Sequence, residues 1–226
     1  TNTATRQTTT QSGIFLVGQQ EGHYLLRPGK KLINLCIIFM PTGVSRLLGV
    51  PVHEFTNTSV PLGLLNLREI VYLSDLLDTP ETGLTLVISE LNNFFRRRMA
   101  GNAWHYQYVE KSVERIKQVR GLSSVKELAN DCNTSERNFR RRFWELTGLS
   151  PKKYMLITRL WNIVNTVDTN LTTIKWSDLT YEMGYYDQMH FIREFKQFSG
   201  ESPGLYFKDY NHSSRTIAKD LLFATQ

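Results

Sequence analysis

The sequence predicts an α+β protein that is mostly α-helical, with a small β-containing N-terminal domain ahead of a helical C-terminal domain. Three observations support this fold class. One segment of the C-terminal half occurs twice at a fixed offset, which indicates a small unit built twice. Apolar residues in that half recur with helical spacing. Near the N-terminus, short apolar runs are separated by turns rich in glycine and proline, a pattern typical of strands.

The two copies of the repeat are Ser135–Tyr154 and Asp187–Tyr206, which lie 52 residues apart. Seven positions are identical between them: Phe139 and Phe191, Arg141 and Arg193, Phe143 and Phe195, Gly148 and Gly200, Ser150 and Ser202, Pro151 and Pro203, Tyr154 and Tyr206. Because the two segments match at one fixed offset over 20 residues, we predict the same local structure in both copies.

Each copy is predicted to form a helix with a defined beginning and end. Ser135 and Asp187 are good N-cap residues, because their side-chain oxygens accept a hydrogen bond from a free backbone N–H. Gly148 and Gly200 suit the left-handed position after a helix, and the Ser-Pro that follows prevents continuation. Between these signals, apolar residues at i, i+4 and i+7 share one face: Phe139, Phe143 and Leu146 in the first copy, Phe191, Phe195 and Phe198 in the second.

The opposite face of each helix carries candidates for direct contact with DNA bases. At ~100° per residue, Arg141 lies nearly opposite Phe139, and Arg193 lies opposite Phe191. Arginine pairs bidentately with guanine, glutamine pairs with adenine, and apolar side chains contact the thymine methyl group. The candidate DNA-binding residues are Arg137, Arg140, Arg141, Gln188, Met189 and Arg193. The alternative interpretation is an aromatic core with a merely solvated arginine face, and the repetition of the pattern argues against it.

A second, shorter helix and a turn precede each copy. Val125, Leu128 and Ala129 form a short apolar stripe before the first copy. Trp176, Leu179 and Met183 form the stripe before the second, where Gly184 marks the turn. Helix, short turn and helix make a helix-turn-helix module. The sequence therefore predicts two modules, at about 124–146 and about 174–198.

The domain at residues 103–210 resembles the DNA-binding domain of AraC/XylS-family bacterial transcription regulators. The resemblance is carried by the residue pairs and motifs Leu128-Ala129, Thr147-Gly148-Leu149-Ser150-Pro151, Arg159, Gly184-Tyr185, Gln188, His190-Phe191, Arg193 and the aromatic, glycine and Ser-Pro positions of the repeat. Two positions depart from the family pattern. Thr180 stands where a small alanine is usual, at little expected cost. Met189 stands where a polar residue is common, and it either shifts base preference toward thymine or contributes nothing.

The resemblance implies seven helices, with two helix-turn-helix subdomains joined by a long helix over Pro151–Thr169. Tyr154, Ile157, Leu160, Trp161 and Val164 of that helix would face the subdomains. The two recognition helices would enter successive major grooves on one side of double-stranded DNA, about one helical turn apart. The resemblance also implies an activator that recruits RNA polymerase, with an N-terminal domain that binds a small-molecule effector or forms a homodimer.

The N-terminal domain is predicted at residues 13–100, between a flexible lead-in at 1–12 and the DNA-binding domain, with a C-terminal tail at 211–226. Strands are predicted at Ile14–Val17 and His23–Leu26, and helices at Val44–Leu48 and from Leu65 to about Asp78. The run Leu32–Met40 suggests a strand buried on both faces, with a helix as the alternative. Leu84, Ile88, Leu91 and Phe95 predict one amphipathic helix face. The segment Phe39–Glu54 resembles the end of an N-terminal domain found in some of these regulators, which implies that an earlier part of the domain is absent.

Charge and composition agree with a DNA-binding role. Residues 94–226 hold 21 Lys/Arg against 14 Asp/Glu, a net +7, whereas residues 1–93 hold 6 against 7, a net −1. The excess positive charge is therefore in the repeated half, where phosphate binding needs it. Cys36 and Cys132 are too isolated for a disulfide framework or a zinc site, and a reducing cytoplasm is the default compartment. We find no signal peptide and no apolar run of membrane-spanning length.

The sequence gives no sign of an enzyme, a metal site or a cofactor. The five histidines are scattered, and no phosphate-binding loop, nucleophile elbow or paired-acid motif is present. Because fold and activity are separable, an enzymatic role for residues 13–100 stays open. The sequence favours a sequence-specific DNA-binding transcription regulator. The alternatives are a protein-interaction scaffold and a ligand-binding module with a vestigial DNA-binding domain.

Overall fold

The computed structural model describes residues 14–23, 35–65, 67–77, 83–101, 106–169 and 176–208. The predicted lead-in at 1–12 and tail at 211–226 lie outside the described residues, as does most of the strand predicted at His23–Leu26. We call the described residues from 14 to 101 the N-terminal unit and those from 106 to 208 the C-terminal unit.

The N-terminal unit combines a two-stranded antiparallel sheet with short helices. Its elements are β1 (Phe15–Val17), α1 (Gly43–Leu48), a 3-10 helix (Val52–Phe55), β2 (Ser59–Pro61), a second 3-10 helix (Leu62–Leu65), α2 (Arg68–Val71), α3 (Leu73–Leu77) and α4 (Gly83–Gly101). In the sheet, Phe15 lies opposite Pro61 and Val17 opposite Ser59. The predicted helix at Val44–Leu48 and the strand at Ile14–Val17 are therefore present. The helix predicted from Leu65 is interrupted at Tyr72, between α2 and α3.

The prediction of a buried strand over Leu32–Met40 is wrong for its described part. Residues 35–40 form no strand, and Leu35, Ile37 and Met40 are exposed by 41%, 44% and 49%. The sheet of the described residues consists of β1 and β2 only. An apolar run becomes a buried strand only where a neighbouring strand takes its backbone hydrogen bonds, and no described strand lies beside residues 35–40.

The buried face of α4 is rotated from the predicted one. Leu84 and Ile88 are exposed by 54% and 46%, whereas Val87 and Phe94 are 2% and 1% exposed. Phe95 stays in contact with the core at its edge, where its ring packs against Phe39. Residues three and four apart lie on the same side of a helix. The predicted apolar stripe and the observed one therefore lie next to each other on α4 and overlap at their edges.

The C-terminal unit consists of seven helices among its described residues, as the resemblance implied. They are α5 (Gln107–Gln118), α6 (Val125–Asp131), α7 (Glu136–Thr147), α8 (Pro151–Thr169), α9 (Trp176–Glu182), α10 (Gln188–Ser199) and α11 (Pro203–Lys208). The order is one helix, a short helix pair, a long helix, a second short pair and a final helix. The two short pairs are the two predicted helix-turn-helix modules.

The long helix α8 connects two separate hydrophobic cores. Its N-terminal residues Tyr154 and Met155 pack in the core formed with α5, α6 and α7. Leu160 and Ile163, both fully buried, belong to the core formed with α9 and α10. Ile157 packs against both cores. Because each core is anchored on the same rigid helix, α8 fixes the distance between the two modules.

Candidate nucleic-acid interface

The first module is held by two complete helix caps. The hydroxyl of Ser124 accepts a hydrogen bond from the backbone N–H of Glu127, whose carboxylate accepts one from the backbone N–H of Ser124, a capping box. The turn after α6 passes through Asn133, a residue type that tolerates its positive φ of 50°. Ser135 then caps α7 by accepting a hydrogen bond from Asn138. The predicted cap at Ser135 is confirmed.

The second module has the same layout with different turn residues. Gly184, at φ 73°, makes the turn after α9, and Asp187 caps α10 by accepting a 2.7 Å hydrogen bond from the backbone N–H of His190. Thr180 occupies the position equivalent to Ala129 and is 3% exposed. Its hydroxyl donates to the Trp176 and Ser177 carbonyls of its own helix, so the buried oxygen is satisfied. The departure from alanine therefore leaves the module intact.

The second helix of each module, α7 or α10, is called its recognition helix. Both recognition helices end at a left-handed glycine. Gly148 has φ 78° and Gly200 has φ 87°, and each backbone N–H donates to a carbonyl of the last turn at 2.8 Å. An L-residue with a side chain is strained in this conformation, whereas glycine is not. The predicted stops are confirmed.

The aromatic inner faces of α7 and α10 are fully buried. Phe139 and Phe143 are both 0% exposed, and their rings lie 5.6 Å apart. Phe191 and Phe195 are each 1% exposed, and their rings lie 5.5 Å apart. Since both helices bury the same face, their opposite faces are presented to solvent.

The outer face of α7 carries three arginines in different environments. Arg137 is exposed and has no ion-pair or hydrogen-bond partner in the described part of the chain. Arg141 is exposed too, but its guanidinium contacts Glu145 at 3.3 Å and the Asn138 side chain at 3.1 Å. Arg140 points along the side of the helix and binds Glu136 at 2.7 Å. Arg137 and Arg141 therefore share the outer face, and Arg140 lies at its edge.

The outer face of α10 is less charged. Met189 is 65% exposed, and Gln188 and Arg193 are also exposed. Within the described residues, Arg193 has no partner. Helical spacing puts Met189 and Arg193 side by side on the outer face, while Gln188 lies in the first turn, nearer the core. The structure therefore places Arg137 beside Arg141, and Met189 beside Arg193. Arg140 and Gln188 lie apart from both pairs.

The N-terminal unit docks against the C-terminal end of α7. The Thr56 hydroxyl donates a 2.6 Å hydrogen bond to the Gly148 carbonyl, and the Ser45 hydroxyl donates a 3.1 Å bond to the Leu146 carbonyl. The His53 ring lies 4.3 Å from the ring of Trp144. These contacts satisfy carbonyls that a helix end leaves without a partner. They tie the first recognition helix directly to the N-terminal unit.

A second contact reaches the end of α10. A Cβ atom on Gly200 would come within 2.5 Å of His23 Nε2, so the loop that contains His23 touches the stop of the second recognition helix. The nearby Gly22 lies against the carbonyls of Gln197 and Phe198, within 4.0 Å of a Cβ atom placed on it. The N-terminal unit therefore contacts both recognition helices at their C-terminal ends.

Sequence reasoning missed two groups of exposed side chains. Tyr181 and Tyr186, at 82% and 97% exposure, flank the turn of the second module. Lys126, Lys152 and Lys153 line one open cleft together with Arg140, Arg159 and Glu194. The sequence shows Lys152 and Lys153 directly after Pro151, but nothing in it shows that they share a cleft with Lys126.

A polar cluster links α8 to the second module. The guanidinium of Arg159 lies 5.1 Å above the Tyr185 ring, and the Tyr185 ring packs edge-on to His190 at 5.5 Å. His190 Nε2 lies 3.3 Å from Glu194. Burial, and then the charge of Glu194, raise the pKa of Tyr185 well above its usual value, so this hydroxyl stays protonated. Asp187 thus caps the helix as the sequence predicted, and His190 contacts Glu194 one turn further along it.

Two exposed, equivalent helices of this geometry define a protein with a double helix-turn-helix domain. Residues 128–209 match the family model described as a helix-turn-helix domain. This part of the chain is an AraC-type helix-turn-helix domain, and the resemblance to AraC/XylS-family regulators is confirmed for it. The domain is that of a DNA-binding transcription regulator. The family that it matches is a regulatory family and not an enzymatic one. Comparison with curated proteins and with solved structures gives no match.

Two further findings concern the described residues only. None of their helices combines the length and apolar character that a membrane crossing needs. Nor do they bring three His, Cys, Asp or Glu side chains together in a group that could hold a metal ion. Cys36 is exposed, and Cys132 packs between Ser112 and the carbonyl of Tyr108.

Proposed function

We propose that this protein reads double-stranded DNA with α7 and α10 in two successive major grooves. The observation that carries the proposal is the equivalence of the two modules. Each has a capped recognition helix with a buried aromatic face, a left-handed glycine stop and an outer face presented to solvent. An α-helix of this kind fits the major groove, and its exposed side chains reach the base edges.

The proposed base contacts differ between the two helices. Arg137 and Arg141 suit guanine, because a guanidinium donates two parallel hydrogen bonds to the O6 and N7 atoms. On α10, Arg193 has the same capacity, and Met189 suits the methyl group of thymine. Gln188, in the first turn, suits adenine. Arg140 is the weakest candidate for base reading, since its guanidinium is bound to Glu136 at the edge of the outer face.

Control by the N-terminal unit is the second part of the proposal. The contacts of Thr56, Ser45 and His53 with the end of α7 give a physical route by which a change in that unit alters the first recognition helix. A small-molecule effector, a homodimer and recruitment of RNA polymerase follow from the family resemblance. The docking contacts support the first of these, because an effector that binds only one arrangement of the unit shifts its population.

Selection from random duplex DNA, followed by binding to the selected sequence across a salt series, tests the proposal. We expect a consensus of about 20 base pairs with two half-elements roughly 10 base pairs apart. We also expect affinity to fall steeply with salt, because bound lysine and arginine release counterions from DNA.

Other outcomes assign the protein differently. A single enriched half-element would mean that one helix reads bases and the other anchors the backbone. No enrichment and no salt dependence would contradict DNA reading. That result would favour a protein-interaction scaffold, in which α7 and α10 contact another protein.

A further inference from the structure

The loop after α5 connects the first module to the turn of the second. α5 packs in the first core, and its last turn closes with two hydrogen bonds. The Arg120 N–H donates to the Lys117 carbonyl at 3.0 Å, and the Gly121 N–H donates to the Ile116 carbonyl at 2.8 Å. This pair of bonds is the Schellman motif, which fixes the path of the chain where a helix stops. The loop therefore leaves α5 along a defined path.

Close packing seats this loop on α8. A Cβ atom on Gly121 would clash with the Met155 carbonyl and lie 3.0 Å from the Arg159 backbone nitrogen, so only glycine fits there. Arg120, just before it, has a positive φ of 54°, which is uncommon for a long side chain. A residue stays in such a conformation where the surrounding contacts require it. Contacts outside the loop therefore hold Arg120 in place.

The outside contacts of the loop are with the second module. The Arg120 guanidinium binds the carboxylate of Glu182, the last residue of α9, at 3.2 Å. A Cβ atom on Gly184 would lie 2.8 Å from Leu122 Cδ2, so the leucine side chain covers the turn between α9 and α10. Both contacts reach directly from one module to the other without passing through α8.

Arg159 of α8 contacts both sides of this junction. Its backbone lies against Gly121, and its guanidinium lies 5.1 Å from the centre of the Tyr185 ring, directly after Gly184. A guanidinium at this distance is attracted to the face of an aromatic ring. We call residues 120–122, Arg159 and residues 182–185 the inter-module joint. The joint closes a triangle of contacts, because the loop contacts α8, the loop contacts the turn, and α8 contacts the turn.

We propose that the inter-module joint sets the angle between α7 and α10, and with it the spacing of the two DNA half-elements, an inference that rests on the proposed function. α8 fixes the distance between the modules, but packing along a single helix leaves each module some freedom to rotate about it. The joint contacts lie beside α8 and oppose that rotation. An angle that is set before binding need not be ordered on the DNA. The outer faces thus set base preference, and the joint sets the number of base pairs between the bases that are read.

The test measures Kd of the full chain for the selected DNA and for DNAs whose half-elements are one or two base pairs closer together or further apart. One base pair rotates a half-element by about 35° around the duplex and moves it by about 3.4 Å. A recognition helix held at a fixed angle then loses at least one bidentate base contact. The parent is therefore expected to bind the altered spacings roughly 5- to 150-fold more weakly.

Leu122→Ala is expected to flatten this dependence on spacing. It removes the side chain that covers Gly184 and leaves every proposed base-reading residue in place. The penalty for an altered spacing is expected to fall below about fivefold, with the base preference of each half-element unchanged. Leu205→Ala is the matched control and is expected to behave as the parent, because Leu205 is an exposed leucine of α11, outside the joint and both recognition helices. A variant that folded poorly would instead lose affinity equally at every spacing.

Exchange of the charges of Arg120 and Glu182 provides a second arm. Arg120→Glu alone and Glu182→Arg alone each place two like charges side by side, so both are expected to relax the spacing preference. The double variant restores an ion pair at the net charge of the parent and is expected to recover the parent's dependence on spacing. Because that dependence is a ratio of Kd values for one protein, a general change in attraction to DNA cancels.

Three outcomes overturn the proposal. Parent-like dependence on spacing in Leu122→Ala and in both single charge variants would show that the joint does not set the angle, and two-groove reading would stand. Equal binding of all spacings by the parent would show that no fixed angle exists. A parent that selects no pair of half-elements would contradict the proposed function itself, so the failures are distinguishable.

Discussion

Replacement of Arg193 by alanine tests the reading face of α10 most directly. Arg193 is exposed and has no partner in the described part of the chain, so its removal breaks no internal contact. Surface changes of this kind alter folding stability by no more than ~0.5 kcal/mol. A lost bidentate contact with guanine costs about 1–3 kcal/mol of binding, and this corresponds to a roughly 5- to 150-fold higher Kd. The loss is therefore expected in binding and not in stability.

The assay measures Kd for the selected DNA and for every single base substitution in it. Arg193→Ala is expected to bind the selected DNA more weakly and to become indifferent to one base position. Arg193→Lys is the matched variant, because it keeps the charge but loses the planar fork of the guanidinium. It is expected to keep the salt slope and to lose the preference.

The equivalent arginine of α7 is expected to contribute less to binding than Arg193. Arg141 already contacts Glu145 and Asn138, and it must exchange these contacts for a base. An exposed ion pair of this type is worth about 0.3–0.5 kcal/mol, so Arg141→Ala is expected to cost less binding energy than Arg193→Ala. If Arg193→Ala discriminated among the substituted DNAs as the parent does, the assignment of the reading face of α10 would be refuted.

Three other substitutions test the fold and its internal contacts. Phe191→Ala removes a ring that is 1% exposed and is expected to cost ~3–5 kcal/mol of folding stability, and an unchanged melting temperature would contradict the core placement. Thr56→Val removes the hydrogen bond to the Gly148 carbonyl at nearly constant side-chain shape. It is expected to lower the free energy of unfolding, measured by urea denaturation, by about 1 kcal/mol. Equal stability of variant and parent would show that this contact does not hold the two units together. Hydrogen bonds from Ser124 lower the pKa of Glu127 below its usual 4.5, so its stabilising effect is present above that pH and disappears as the pH falls through the lowered pKa. Glu127→Gln is therefore expected to flatten the acid side of the stability–pH curve, and superimposable curves for parent and variant would argue against the capping box.

Local signals explain why the double module could be predicted from sequence. A cap such as Ser135 acts on a backbone N–H three residues away, and a stop such as Gly148 acts within its own turn. The buried faces of α7 and α10 follow from residue spacing alone, since a helix presents one stripe of fixed period. The internal repeat is an independent indication of this structure, because both copies carry the same glycine, Ser-Pro and aromatic positions.

Long-range packing explains where prediction from sequence was wrong. The run Leu32–Met40 has the composition of a buried strand, but a strand needs a neighbour, and no described strand pairs with residues 35–40. The sequence of α4 contains two overlapping stripes of apolar residues, and either could be the buried face. Packing against the rest of the N-terminal unit buries Val87 and Phe94 and leaves Leu84 and Ile88 exposed. In both cases the sequence gives the apolar content, while the partner is distant in the chain.

The sequence by itself determined the two recognition helices, their caps and stops, and the residues on their outer faces, because these depend on contacts within about four residues. Only the tertiary structure decided which of those side chains are available and what surrounds them. It bound Arg140 to Glu136 and left Arg193 without a partner among the described residues. It placed Thr56 on the end of α7 and gathered lysines of α6 and α8 into one cleft. These contacts join residues far apart in the chain, and no local pattern specifies them.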